Sequence, residues 1–475
     1  KGGLVEEPKG DHMLKRRDFL RKCGHAATLL PGAAASGALP EAPDPRLYHE
    51  PARDVPIEEP VDVVVCGAGP AGVSAAIAAG RMGAKVRLID VNGCLGGIWT
   101  AGLLCWILDA QDKPGLMREL TERLDARGAL FRATKLAYDP EVMKLLLEEL
   151  CLDAGVKIRL HTRVVAAVRD DSNRLSLAVT ESKSGRQAFG GSVFVDATGD
   201  GDLAALAGCG FDMGRPETGE VQPLSMIVLL TGVTREGIGP FVCGLPESES
   251  HAKAKKRLFD EMARAGIEPS YAHPSIFHIR DDFYCMMANH EYGVLATDAD
   301  ALTQATIRAR AEVHSLVNHL KAFGGPWKDM QLVASPEHIG IREGRRIHGR
   351  YTITAQDLIR GATHEDAVCK VRFPIDVHST DPRQNRAIMD ESVRAKPYDI
   401  PFRALLARDI DGLLLAGRCI SGDFIAHSSY RVTGNAVPMG EAAGVAAALA
   451  SKQRRLPQTL DWPTIAESIA TLPQS

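Results

Sequence analysis

Gly67, Gly69 and Gly72 close an apolar, β-branched run (Val63, Val64, Val65) in the spacing Gly-x-Gly-x-x-Gly, and Asp90 follows 23 residues after Gly67. Those residue types at that spacing can hold a dinucleotide. The first glycine permits a tight strand-to-helix turn, the second lets backbone approach a pyrophosphate, and the third lets the helix pack on the sheet with its free N–H groups facing the phosphates. A carboxylate at position 90, closing a second strand over 86–89, can accept hydrogen bonds from both ribose hydroxyls. A second chemistry-bearing pair lies far downstream, where His427 and Arg431 offer a titratable base and a fixed cation four residues apart. Other reactive patterns are missing from the sequence. The ten cysteines contain no Cys-x-x-Cys pair, and neither His-Glu-x-x-His nor a nucleophile elbow occurs. Zinc, dithiol and serine-hydrolase chemistry are therefore not predicted.

The first of these chemistries needs a β–α–β unit, and residues 61–90 read as one: strand, alanine-rich helix, strand. Six residues past Asp90, Gly96-Gly97 again allows close backbone approach. Leucine spacing predicts helices over 113–129 and 139–154, followed by short strands over 157–160, 163–168 and 175–180. A buried strand over 193–196 leads into a turn rich in Gly and Asp (196–202), placed to bring backbone beside a cofactor. From about 213 to 396 the pattern changes. Strand-like runs at 225–231 and 281–287 mix with a long helix over 299–323, whose Leu302, Ile307, Val313, Leu316, Val317 and Leu320 form a core-facing stripe. This block reads as a second domain laid over the cofactor. Within it, Arg342, Arg345, Arg346 and Arg350 put four arginines in nine residues, with a solvated face, anion recognition and internal salt bridging all open. The α/β pattern then returns, with a buried strand ending at Gly417, a loop through His427, and a helix over 436–450 with Pro438 in its first turn.

Composition sets the outer bounds. The chain has 475 residues, 45% hydrophobic and 24% charged, with net charge -4, which gives no reason to expect nucleic acid or a membrane surface as partner. No run of about 18 apolar residues predicts a spanning helix. Near the start, Arg16-Arg17-x-Phe19-Leu20-Arg21-Lys22, a short apolar segment and Ala33-Ala34-Ala35-Ser36 have the layout of a twin-arginine signal, which exports proteins already folded. A protein that captures a cofactor in the cytoplasm has to fold before crossing. Export machinery would then be one partner, and the mature protein would be periplasmic or extracellular.

The whole set of motifs has a family likeness. The glycine motif, Gly96-Gly97, DATGDGD at 196–202, REGRR at 342–346, IPFRALL at 400–406, LLLAGR at 413–418 and SYRV…MGEAAG at 429–444 resemble, in order, FAD-dependent oxidoreductases of the glutathione-reductase-like flavoprotein superfamily, with fumarate reductase flavoproteins as distant relatives. The resemblance runs from about 62 to 450. It implies an α/β protein: a discontinuous Rossmann-like FAD-binding domain (61–212 and 397–452) with a second, α+β substrate domain (213–396). Ahead of these stand the signal (1–36) and a Pro-rich linker (37–60), and a tail (453–475) follows. The implied cofactor is FAD. Gly67, Gly69, Pro70, Ala71 and Gly72 would face its pyrophosphate, Asp90 its adenosine ribose, and Gly96 and Gly97 its flavin end. Val164, Ala197, Thr198, Gly199, Asp202, Gly417, Arg418, Ala436, Val437 and Gly440 would complete the set. The chain departs from the family at Asp90, where Glu is commoner. It departs again at 433–436, Thr-Gly-Asn-Ala in place of Pro-Thr-Cys-Met, and at Phe424, where some relatives have His.

A flavin dehydrogenase needs a C–H aimed at N5 and a base for the accompanying proton. His427, read in a loop between strand and helix, is the first candidate base, with turn capping as its alternative duty. Arg431 could anchor a carboxylate, support reduced flavin or bridge domains, and Tyr430 is a third candidate, ahead of His378 and Arg342. A helix start near 436 aimed at the flavin would stabilise the charge that gathers there on reduction. Two functions follow from the resemblance. One is an exported FAD enzyme moving hydride between a small organic substrate and N5, with a quinone, cytochrome or similar carrier. The other is an electron-transfer or binding subunit without its own substrate. An NAD-binding dehydrogenase is opposed by Gly96-Gly97 and by the strand that ends in Ala416-Gly417-Arg418.

Overall fold

The computed structural model describes residues 47–131, 136–383, 386–389 and 391–473. The twin-arginine segment and the first ten residues of the expected linker lie outside them. Residues 47–56 carry no regular structure, and the chain from Val55 onward forms one unit. Strand β1 (Ile57–Cys66) begins four residues inside the stretch expected to be linker. Ile57 and Glu58 pair with Ala188 and Phe189, and the register then shifts before Val61. Pro60 sits at that irregularity, where its missing N–H costs no ladder bond.

The expected β–α–β unit is present as β1, helix α1 (Pro70–Arg81) and strand β2 (Val86–Ile89). Val63, Val64 and Val65 have no exposed surface, as a strand covered on both faces requires. A parallel core runs Lys157–Arg159, β2, β1, Gly185–Asp196, Leu413–Leu415. The first half of Gly185–Asp196 also pairs, antiparallel, with Leu175–Ser182, which in turn pairs antiparallel with Arg163–Arg169. Helix α1 packs along the helix Thr433–Gln453 at very short range. A Cβ on Gly440 would lie 2.0 Å from the Ala71 carbonyl oxygen. Gly440 is therefore a helix-packing residue, where only glycine lets the two helices approach this closely.

A second sheet, antiparallel throughout, has the order Ser275–Arg280, Phe283–Met287, Ile227–Thr231, Gln331–Ala334. Alternation splits its residues between two cores. Val228, Leu230, Ile276 and Met286 face the helices His251–Arg264 and Ala299–Phe323. Ile227, Leu229, Phe277 and Cys285 face Leu103 and Cys105, which follow the Gly96-Gly97 turn. The segment that leaves the glycine turn thus runs directly under the second sheet. The helix Ala299–Phe323 has the expected span, capped by the Asp298 side chain on the Ala301 N–H. Its buried stripe is Ala305, Ala309, Val313, Leu316, Val317 and Leu320. Ile307 is 54% exposed, a correction that follows from 100° per residue, which turns it away from Ala305 and Ala309. Among the described residues no helix is long and apolar enough to cross a membrane.

Candidate functional site

The turn after β1 is built by close contact. Gly67 has φ +94°, and a Cβ there would meet the Ala197 carbonyl oxygen at 2.3 Å, so only glycine fits. Gly69 differs: a Cβ at Gly69 would find nothing within 4 Å. It faces open space at the N-terminus of α1, where Pro70 follows as the first helical residue. The Gly96-Gly97 turn seats on this loop, with the Gly96 N–H donating to the Ala68 carbonyl at 2.8 Å and Gly97 packed against the Gly69 Cα. The third turn is joined by Gly417, whose added Cβ would lie 3.0 Å from that of Ala71. Gly67, Gly69, Pro70, Ala71, Gly72, Gly96, Gly97, Ala197 and Gly417 are therefore brought together as expected.

Asp90 lies beside the same loop. It is 7% exposed, and its two oxygens accept from the backbone N–H groups of Ala68 and Asn92 at 2.5 and 2.7 Å. Burial raises its carboxyl above the ordinary value and these hydrogen bonds draw it back. Each carboxylate oxygen keeps a further lone pair for another donor. The segment leading to half-buried Val164 crosses this edge, where the Thr162 N–H donates to the Asp90 carbonyl.

The 196–202 turn is held from within. Asp196, fully buried and pushed up to about 6 by burial, accepts from Thr198 N–H, Thr198 Oγ1 and Ala204 N–H. Gly199 lies under Arg418, whose guanidinium pairs with Asp200 at 2.9 Å and donates to the Ile341 carbonyl at 2.6 Å. Asp202 pairs with Arg345 at 2.9 Å, so its carboxylate faces the second block rather than the cofactor turn, a further correction.

The helix expected from 436 begins at Thr433, with Val432 as its N-cap. Pro438 is its sixth residue, inside the helix rather than in the first turn. The Leu108 carbonyl accepts from the Gly434 N–H at 2.9 Å and fixes the earlier start. Ala436 and Val437 are consequently buried one turn into the helix. Asn435, with no exposed surface, has no partner for its amide oxygen or nitrogen.

His427 lies in the helix Phe424–Tyr430 rather than in a loop. Asp423 caps it, one oxygen accepting from Ala426 N–H at 2.7 Å and the other from Ala355 N–H at 2.6 Å. The imidazole has no exposed surface, and neither ring nitrogen completes a hydrogen bond, although the Arg418 carbonyl lies near enough to bias it. Burial, then Arg431, Arg346 and Arg418, hold it well below the usual histidine range. Tyr430 is also sealed, its hydroxyl donating to the Ile420 carbonyl at 3.0 Å, which removes it from the candidate catalytic groups. Arg431 bridges elements: it donates to the carbonyls of Arg342 (3.1 Å) and Asp376 (2.8 Å) and to Gln222 Oε1 (3.1 Å).

A polar cluster surrounds Arg431 that the sequence reading reached only through His378 and Arg342. The Asp376 carboxylate lies 3.3 Å from His378 Nε2, His378 Nδ1 lies 3.0 Å from His290 Nε2, and His290 Nδ1 lies 3.1 Å from the Tyr292 hydroxyl. Burial and then Arg342 lower His378 to about 4, and burial and then Arg342 hold His290 well below its ordinary value. Asp376 is held low by His378 and the two arginines against its burial. His290, Gln222 and Asp376 belong to no sequence motif; the one local signal is the polar run Asn289-His290-Glu291-Tyr292 one residue after a strand.

This neutral histidine has a consequence for acid stability. Its folded pKa, about 4, is below the unfolded value, so the unfolded chain binds the extra proton. The contribution is complete above about pH 6.5 and is lost as pH falls toward 4. His378→Gln should therefore flatten the acid limb, losing less stability than the parent by up to roughly 1.4 kcal/mol per pH unit. Denaturation midpoints between pH 6.5 and 4.5 measure this, and equal slopes would show that His378 takes up its proton alike in the folded and unfolded chain.

Among the described residues no group of three or more His, Cys, Asp or Glu side chains is placed to hold a metal ion. The profile of the family described as FAD dependent oxidoreductase matches residues 62–470. No curated protein sequence matches the chain. Among solved structures, a geranylgeranyl bacteriochlorophyll reductase-like protein from Thermoplasma acidophilum is similar at 12% identity and TM-score 0.42, over 88% of this chain and 83% of that one. The myxobacterial chondrochloren halogenase CndH is similar at 11% and 0.46, over 87% and 78%. The p-nitrophenol 4-monooxygenase PnpA from Pseudomonas putida is similar at 11% and 0.44, over 89% and 91%.

Proposed function

On the premise that this chain belongs to the FAD-dependent oxidoreductase family, we propose that it moves a hydride between a small organic substrate and FAD and exchanges electrons with a quinone, cytochrome or other non-nicotinamide carrier. Its cofactor is FAD. The observation that carries the reading is the open face of Gly69, bordered by Gly97 and Asp90 while its neighbouring glycines are packed tight. That cradle suits a pyrophosphate, which needs backbone N–H groups and no side chain. The lone pairs left on Asp90 suit ribose hydroxyls. When bound, FAD supplies the two-electron chemistry and the route to a one-electron carrier.

The protein's share is positioning and charge. Arg431 ties the start of the helix Thr433–Gln453 to Asp376 and Gln222 of the second block. Arg342 and Asp376 are half-buried, and in this reading the surface they keep faces the substrate cleft. His378, beside Asp376 and uncharged near neutral pH, is the proton acceptor in this reading. His427 is set aside, because its sealed ring offers no surface to a substrate.

Export supports the choice of carrier, since the nicotinamide pool stays in the cytoplasm. Cell fractionation tests it, with Arg16→Lys and Arg17→Lys expected to retain the protein inside. For the reaction, the purified protein should be yellow and, under anaerobic conditions, bleach with one member of a panel of hydroxy acids, sugars and amines. A quinone analogue or cytochrome should restore the colour. Bleaching by NADH or NADPH alone would sink the carrier assignment, and a coloured protein that no small molecule bleaches would favour the electron-transfer subunit.

A further inference from the structure

The cluster around Arg342, Gln222 and Arg431 holds more positive charge and more hydrogen-bond donors than its protein neighbours match. Arg342 donates to the Pro223 carbonyl and Ser225 Oγ, each at 2.8 Å, and to Met287 Sδ at 3.5 Å. All three acceptors are uncharged, and among the described residues no carboxylate lies within 4.0 Å of this guanidinium. Arg431 meets one carboxylate, Asp376 at 3.7 Å, which also faces His378. Gln222 is 1% exposed; its Oε1 accepts from Arg431 and from the His378 N–H at 2.9 Å, and its Nε2 has no acceptor. The Tyr271 hydroxyl, close enough to feel Arg342, makes no hydrogen bond with the described residues.

The sum is two cations against one anion, because His378 and His290 stay neutral. A buried charge needs a counter-charge, and each unmet buried donor costs about 1–3 kcal/mol. The unmet Gln222 Nε2 can only donate, and the Tyr271 hydroxyl is free to donate. What is missing is a ligand with one negative charge and acceptor oxygens only. A carboxylate has both, and the planar guanidinium fork matches its two oxygens. We propose that Arg342, with Gln222 and Tyr271, binds a carboxylate of the substrate, so that the enzyme acts on a small carboxylate-bearing acid. The proposal rests on the small-molecule reading above. A reduced, anionic flavin is the other source of such a charge, and the test separates the two.

The oxidised holoenzyme, whose flavin ring is uncharged, is titrated with acetate, lactate, benzoate and succinate, and with the neutral amides of each. Flavin absorbance and Tm report binding without turnover. At least one acid should bind saturably, tighter than its amide by tenfold or more, and more weakly as salt rises. Arg342→Gln should weaken that acid at least tenfold at unchanged flavin content, with Arg342→Lys in between. The acid–amide comparison on the parent protein needs no variant to fold. The assignment is overturned if no acid binds, if acid and amide bind alike, or if Arg342→Gln leaves binding intact and instead lowers the flavin midpoint potential. A colourless protein would count against the cofactor reading, a separate failure.

Discussion

Gly69→Val should yield a folded, colourless protein. A Cβ at this position meets no atom within 4 Å beyond its chain neighbours, so the fold leaves room for a small side chain. The space it fills is where backbone must approach a pyrophosphate. FAD affinity should fall at least 100-fold, about 2.7 kcal/mol, while the Tm of the cofactor-free protein stays within a degree or two. Gly72→Ala is the contrasting case. Its Cβ would stand 1.8 Å from the Gly67 carbonyl oxygen, and the loop itself would have to move. Flavin absorbance together with far-ultraviolet circular dichroism distinguishes the two outcomes. A fully coloured Gly69→Val protein would put the cofactor elsewhere.

That contrast is already legible in the glycine spacing, because a strand–turn–helix unit is local and its constraints act within 30 residues. The same holds for the helix Ala299–Phe323, where Asp298 and the apolar period mark start and face. Expectation and structure part chiefly where a distant contact decides the outcome. The helix Thr433–Gln453 starts three residues before its expected start, because Val432 offers no side-chain cap and Pro438 looks like a first-turn residue. Its start is set by Leu108, more than 300 residues earlier in the chain. The helix that carries His427 does have a local signal, since Asp423, a preferred N-cap residue, stands four positions before it. The His290–His378 pair spans 88 residues, and no local pattern couples them. The arginine-rich segment shows the limit most clearly. Four arginines within nine positions divide between a cation with no carboxylate within 4.0 Å among the described residues (Arg342), a pair to Asp202 (Arg345), a buried pair to Glu343 (Arg346) and an exposed pair to Asp411 (Arg350). Composition cannot tell these duties apart, since burial and partner decide them.

Glu343→Ala should be the most destabilising single change in that segment. The Glu343 side chain has no exposed surface, and that of Arg346 has 2%, with 2.6 Å between their charged atoms. Glu343 also accepts from the Gly214 N–H at 3.0 Å and the Gln222 N–H at 3.1 Å. Arg346 in turn donates to the carbonyls of Gly422 (3.1 Å) and Gly214 (2.9 Å). Removing the carboxylate strands a buried guanidinium and two backbone donors at once, which should cost about 3–5 kcal/mol. Glu343→Gln, which keeps one acceptor and the volume, should cost less. The double change Glu343→Leu with Arg346→Met should recover much of the loss, because it removes the stranded charge along with its partner. Urea midpoints with unchanged slopes measure all three. The effect should also reach the cleft. Gln222, anchored by Glu343 through its N–H, is the residue whose side chain joins Arg431 to His378. Glu343→Ala should therefore weaken carboxylate binding even at temperatures where the protein is fully folded, whereas a parent-like midpoint would mean that this pair gives the fold no net stability.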